Sequence, residues 1–192
     1  GRPFVAELSV FGGVSPKHDE LVCFVPGMLG LGAATKAVKA AAKHMALAAE
    51  LLETCCDLHT QTPTGLAAEI SHFELADDAE PIDGSTAAEQ QQQQQQEEEE
   101  EERSDGGGAA RGGREFGSAT RDQHSLLRPE TVESLFLLRR VTGSLEYADM
   151  GWSIFESIRR HARTASGGFA SVEDVSDMSA RPQVRDQTES FF

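Results

Sequence analysis

Residues 76–120 limit what this chain can fold into more than any other stretch. Gln90–Gln96 runs into Glu97–Glu102, followed by Gly106-Gly107-Gly108 and Gly112-Gly113. So polar and glycine-rich a segment buries too little apolar surface to offset the entropy of ordering its backbone. It reads as a disordered surface loop, with at most transient helix in the Gln/Glu run. Any core must come from residues 1–75 and 121–192. The same segment explains the charge. Between Asp77 and Glu115 thirteen acids stand against three arginines, which accounts for ten of the net charge of -15. The acidity is therefore local and says little about the ligand.

The flanking parts read as mostly helical. Residues 4–10 alternate loosely, as a short strand does, and Gly12-Gly13 turn the chain towards Ser15. From Asp19 to about Leu31 the spacing predicts a helix whose apolar residues (Leu21, Val22, Phe24, Met28, Leu29, Leu31) wrap nearly all round, as on a buried inner helix. Lys36 to His59 is the clearest helical segment, with Met45, Leu47, Leu51, Leu52 and Leu58 among alanines. Lys36, Lys39 and Lys43 share one face without interleaved aromatics, so they read as a solvated face and not as a nucleic-acid surface. Two more helices, Pro129 to about Arg140 and Leu145 to about Arg163, are split by Thr142-Gly143. The second carries Tyr147, Met150, Ile154, Phe155 and Ile158 at helical spacing, with Trp152 assigned to the core beside them. Ser166–Ala170 reads as a turn into a short strand. Arg185–Phe192 reads as a helix just begun, with Asp186 as its cap and Glu189 three residues on. Helix pairs joined by short loops and small strands give an all-α class of the toroid type. No run of eighteen apolar residues and no signal peptide are visible. Cys23, Cys55 and Cys56 show neither a CxxC pair nor zinc-finger Cys/His spacing, and three buried thiols remain one reading of them.

The chemistry-bearing stretch is Leu126–Phe136. Pro129 suits the first helical position, where a missing N–H costs nothing. Glu130 and Glu133, three apart, share one face of the first turn beside the positive end of the helix dipole. Val132, Leu135 and Phe136 supply the opposite stripe, expected to be buried. Two carboxylates and Arg128 in so small a space can hold a water, a sugar hydroxyl or a metal-bound water. Acids in a first turn are also favoured by the dipole alone, so spacing by itself leaves both readings open.

Several segments, in order, carry more. They are Ser15–Phe24, Pro26–Ala33, Thr64–Ile70, Leu126–Phe136, Val141-Thr142-Gly143, Ser166–Phe169 and Arg185–Phe192. Together they resemble the class I α-1,2-mannosidases, glycoside hydrolase family 47. The resemblance implies an (α/α)7 barrel of more than twice this length. The chain would then be an incomplete barrel fragment with short β-hairpins, residues 1–75 and 121–192 forming parts of one catalytic domain. Residues 76–120 would be an expanded, disordered loop within it. The activity implied is inverting, Ca²⁺-dependent trimming of high-mannose N-glycans in the ER or Golgi lumen. Membrane attachment would come only through an N-terminal anchor outside this stretch.

Carried over by position, Glu130 would be the general base, its ionised form favoured by the helix N-terminus and Arg128. Arg128 and Pro129 would contact substrate, and Phe191 would cover the apolar face of a mannose. Glu133 and Glu69 would hold sugar hydroxyls, or waters around Ca²⁺. Glu20 stands in the substrate wall where many members have His, as in a plant-like subtype, and Ala68 replaces the usual Pro before Glu69. Cys23 and Cys55 match the family's disulfide, which leaves Cys56 as the odd thiol. The acid and a second mechanistic carboxylate would precede Gly1. The calcium-ligating threonine and a further glutamate would follow Phe192, so the stretch alone is expected to be inactive. The rival reading is a glycan-binding ER quality-control factor of the mannosidase-like type. Ser15–Phe24 and Arg185–Phe192 look nearer the trimming enzymes.

Overall fold

A computed structural model describes residues 2–8, 13–74, 116–179, 184–185 and 187–192. Residues 76–115 of the expected insert, and Asp186, lie outside the described residues. Helices dominate: α1 (Phe24–Ala34), α2 (Ala41–Thr60), α3 (Glu130–Thr142) and α4 (Glu146–His161), with a 3-10 turn at Glu20–Cys23 feeding α1. Among the described residues three small antiparallel sheets accompany them: β1 (Glu7–Leu8) pairs with β2 (Val14–Ser15), β4 (Ile70–Phe73) lies between β3 (Lys17–Asp19) and β5 (Phe116–Gly117), and β6 (Arg163–Thr164) pairs with β7 (Gly168–Phe169).

The contact of α1 with α3 is built from small residues, contrary to the all-round apolar burial expected of α1. Pro26, Gly27, Gly30 and Ala33 are the buried face, while Leu21, Phe24, Met28 and Leu31 stay exposed. Close approach of the helices is the reason. A Cβ on Gly27 would lie 2.9 Å from Leu137 Cδ1 and from Ser134 Oγ, and one on Gly30 would lie 2.7 Å from Leu138 Cδ1. Ser134 uses this proximity: its hydroxyl donates to the Cys23 carbonyl (2.5 Å) and accepts from the Gly27 amide (2.9 Å). It thus satisfies one of the orphan donors of the first turn of α1. On α3 the buried side is Thr131, Ser134, Leu135 and Leu138, so of the expected stripe only Leu135 is inside. Val132 is 37% and Phe136 62% exposed, because Ser134, Leu137 and Leu138 are the residues of α3 that meet the glycines of α1.

Helix α2 begins at Ala41, later than expected. Thr35 Oγ1 donates back to the Leu31 carbonyl at 2.8 Å and Lys36 takes a φ of +58°, so residues 35–40 form the turn between α1 and α2. The alanine-rich first half of α2 is largely exposed, and its second half (Leu51, Leu52, Cys55, Cys56, Leu58) enters the core. There Cys23 and Cys55 form a disulfide, Cα–Cα 5.9 Å, which ties the 3-10 turn to α2; Cys56 is free and buried.

Three further expectations change. The chain rejoins the fold by Phe116, before the composition boundary at 120, because Phe116 pairs with Phe73 in the sheet and their rings lie 5.0 Å apart. Trp152 is not core: it is 64% exposed and packs on Phe155 outside, while Ile154 points in. The described residues of the 185–192 segment form no helix, against the expectation of one just begun. The Arg185 amide donates to Ser171 (2.8 Å), the Ser171 amide to Gln187 (3.0 Å), and Val184 bridges Val172. These backbone groups are thus used sideways, and among the described residues of the segment Phe192 N to Glu189 O, 3.2 Å, makes a turn.

Candidate active site

Strand pairing brings the acids together. The Glu20 amide donates to the Glu69 carbonyl at 3.0 Å, continuing the β3–β4 ladder past Asp19↔Ile70 and setting the two glutamates side by side. The Glu69 amide is shared by the carbonyls of Asp122 (3.2 Å) and His124 (2.9 Å), and Ser125 is clamped to Val172 by two backbone bonds of 2.9 Å. Between that clamp and α3 the buried Leu127 adopts a φ of +58°. This conformation costs a residue with a Cβ about 1–2 kcal/mol, and it redirects the chain so that Arg128 meets Glu69. Pro129 then caps α3, its carbonyl accepting from the Glu133 amide at 2.8 Å, and Glu130 is the first helical residue. The expected helix start is one residue off.

Arg128 Nε donates to Glu69 Oε1 at 2.5 Å and Nη2 reaches the same oxygen; the guanidinium carbon lies 5.1 Å from the Phe191 ring centre. Glu69, Arg128 and Phe191 are thus connected, with Glu20 beside Glu69 and Glu130 near enough for its charge to act on Arg128 and Glu69. Glu133 is exposed one turn on and shares with Glu130 the wall of a groove whose other side is Leu21, Phe24, Met28 and Leu31. Glu20 Oε2, Glu69 Oε2 and Glu130 Oε2 are all buried atoms without a hydrogen-bond partner. Orphan carboxylate oxygens in one place call for water, a hydroxyl or a cation. The donor set is oxygen-rich, which fits a hydrated hard cation such as Ca²⁺ better than a thiolate-seeking metal.

The expected ionisation of Glu130 needs correction. Its carboxyl is pushed above the ordinary range, first by burial and then by the charges of Glu133 and Glu69. Its own backbone amide and Arg128 only partly offset this. Glu20 is also raised, again chiefly by burial, with His59 opposing and Glu69 and Glu130 adding. A carboxyl whose pKa is higher folded than unfolded binds the extra proton in the native state. Stability therefore falls as pH rises from the unfolded value through the folded one. We expect Glu20→Gln to remove that slope, at most about 1.4 kcal/mol per pH unit. Urea unfolding of wild type and variant from acid to neutral pH should show the variant gaining relative stability with pH; parallel curves would refute the burial account.

His18 was not singled out from sequence. Its Nε2 lies 3.5 Å from Cys23 Sγ, and with Cys55 it forms the one Cys/His group close enough to hold a metal among the described residues. The S–S bond occupies both sulfurs, leaving a single nitrogen ligand, which is too few. His59 was also missed as a site neighbour: its Nε2 lies 3.3 Å from Glu20 Oε1. A signal existed in the spacing. Glu20 precedes Cys23 by one tight turn and His59 follows Cys55 by one α turn, so bonding the cysteines brings the other two together.

The α-1,2-mannosidase from Trichoderma reesei superposes with a TM-score of 0.65 at 24% identity, covering 92% of this chain and 31% of that one, and so shares the fold. The human endoplasmic reticulum mannosyl-oligosaccharide 1,2-alpha-mannosidase is 41% identical over 189 residues, 98% of this chain and 22% of the relative. The Arabidopsis thaliana mannosyl-oligosaccharide 1,2-alpha-mannosidase MNS3 is 37% identical over 206 residues, 100% of this chain and 29% of the relative. The chain thus spans less than a third of the length of either. Glycosyl hydrolase family 47 matches residues 3–192, which take in the acidic cluster, the Arg128 turn and the disulfide, and this chain belongs to that family.

Proposed function

We propose that the protein carrying this chain is an inverting α-1,2-mannosidase that trims high-mannose N-glycans in the secretory pathway, with Glu130 as general base. One observation carries this: Glu130 opens α3 at the groove, two residues after the Arg128 that pairs with Glu69 under the Phe191 ring, with orphan carboxylate oxygens on Glu20, Glu69 and Glu130 itself. Inverting hydrolysis needs a carboxylate to take a proton from the attacking water and an acid some 6.5–9.5 Å away for the leaving oxygen; we assign only the base to this chain. Its raised pKa suits the task, since a base titrating nearer the working pH accepts a proton more readily while still ionised. Arg128, held by Glu69, would donate to sugar hydroxyls with little reorganisation. Phe191, partly exposed, would cover the apolar face of the mannose, and Pro129 would line the same wall. Glu69 and Glu133 would hold the water shell of Ca²⁺, which when bound helps place water and sugar. The (α/α)7 barrel and residence in the ER, where an oxidising lumen preserves the disulfide, complete the reading.

Incubation of the intact protein with a Man9 glycan tests it. Calcium-dependent release of α-1,2-linked mannose is expected. Retention of the glycan without release would replace the enzyme with a glycan-binding factor.

A further inference from the structure

The last turn of α2 holds a histidine that nothing in the proposed chemistry uses. His59 is buried, as is Glu20 at 1% exposure, and Nε2 sits 3.3 Å from Glu20 Oε1, close but off the ring N–H direction of a well-formed hydrogen bond. The other ring nitrogen decides the tautomer. Nδ1 lies 3.1 Å from the Ala67 amide, which donates to it, and 3.3 Å from the Gly65 carbonyl, which can only accept. These partners exclude each other. A proton on Nδ1 would satisfy Gly65 but leave the amide of the fully buried Ala67 facing an N–H. A bare Nδ1 accepts from Ala67, and Gly65, only half-buried, can turn its carbonyl to solvent. Buried donors are rarely abandoned when an exposed acceptor has an alternative. The proton therefore sits on Nε2, 3.3 Å from Glu20 Oε1.

We propose that His59 is a positioning residue: as the Nε2–H tautomer fixed by the Ala67 amide, it holds Glu20 Oε1 and leaves Glu20 Oε2 free to receive a sugar hydroxyl. The proposal rests on the glycan-trimming reading above for its ligand, but not for its geometry. Glu20 Oε2 is buried with no partner, beside Glu69 and close enough to Glu130 for their charges to act on one another. The disulfide and the hydroxyls of the following loop make the anchor rigid. Thr62 Oγ1 donates to Leu66 O at 2.7 Å, and Thr64 Oγ1 to Val175 O at 2.7 Å. Glutamate at position 20 is thereby a specificity determinant, carried by a histidine on another helix.

The experiment uses the intact protein with His59→Asn, His59→Gln, Glu20→Gln and the His59→Asn/Glu20→Gln double variant. Asparagine offers its polar group near the Nδ1 position and keeps the Ala67 contact, whereas glutamine reaches the Nε2 position and keeps the donor to Glu20. His59→Asn should raise KM for a mannosyl-oligosaccharide about tenfold, the low end for losing a residue that orients a ligand-binding group. His59→Gln should restore most of it, and the double variant should be no worse than Glu20→Gln alone. Additive effects, or equal loss in Asn and Gln, would make His59 merely structural and overturn the proposal. Long-range ¹H–¹⁵N imidazole spectra of wild type give a readout independent of variant folding: the Nε2–H pattern supports the proposal and an Nδ1–H pattern ends it. If wild type releases no mannose, the enzymatic reading falls. The tautomer, and glycan dissociation constants across the same variants, then still decide the role of His59.

Discussion

Glu130→Gln should lower turnover on a Man9 glycan by about 10²–10⁴-fold, the range for losing general-base help, while glycan affinity changes far less. Glutamine keeps the shape of the side chain and its hydrogen bonds but cannot take a proton from water. The structure sharpens the expectation in two ways. Burial and the neighbouring Glu133 and Glu69 raise the Glu130 pKa. The acid limb of the wild-type rate profile should therefore lie above the usual carboxylate range, activity being lost as pH falls through it. That limb should vanish from the residual activity of the variant. Glu133 is exposed on the groove wall. Glu133→Gln should accordingly weaken Ca²⁺ or glycan binding together with turnover, because its proposed role is to hold rather than to accept a proton. If both acids served only the helix dipole, each substitution would cost a few tenths of a kcal/mol of stability and leave chemistry intact. Full turnover in Glu130→Gln would remove the catalytic assignment.

How much of this could be read from sequence depends on which interaction sets each feature. Helices at Ala41–Thr60 and Glu146–His161 follow from local periodicity, which found both but began the first at Lys36, ahead of the turn that precedes Ala41. Their faces did not follow so easily. Trp152, Val132 and Phe136 count as core on hydrophobicity alone, yet the close approach of α1 to α3 is made by Gly27, Gly30 and Ser134, which no hydrophobic scale rewards. The strand pairing that sets Glu20 beside Glu69 joins residues far apart in sequence, so local pattern could not show it. Motif resemblance singled out Glu69, Arg128, Glu130 and Phe191, which periodicity could not, and the fold pairs Glu69 with Arg128 under the Phe191 ring. It was silent on His59, because none of the resembling segments includes position 59; only the disulfide taken together with the two turns beside it brings that ring to Glu20. The pKa of Glu130 was misjudged for a related reason: dipole and Arg128 are visible locally, whereas burial and Glu69 arrive with the fold.

The disulfide is where stability and site meet, and its removal should produce the second large effect. Cys23 and Cys55 are 32 positions apart, and closing a loop of that size stabilises the native state by about 3–4 kcal/mol on the chain-entropy account. Cys23→Ala/Cys55→Ala in the intact protein should lose that amount in urea unfolding. KM should rise with it, since the bond fixes the turn carrying Glu20 to the helix carrying His59. The adjacent Cys56 poses the obvious threat, a thiol one residue from the bond. Burial, with Asp57 and Glu53 nearby, pushes its pKa up to about 12. Exchange needs the thiolate, so at neutral pH Cys56 should neither attack the bond nor react readily with alkylating reagents. Peptide mapping under non-reducing conditions should find Cys23 joined to Cys55 in wild type and in Cys56→Ala alike. A stability loss below about 1 kcal/mol in the double variant would show that the native packing of α1, α2 and α3 holds the turn without the bond. Rapid alkylation of Cys56 in the folded protein would show that α2 opens there, and the rigidity assigned to the Glu20–His59 anchor would go with it.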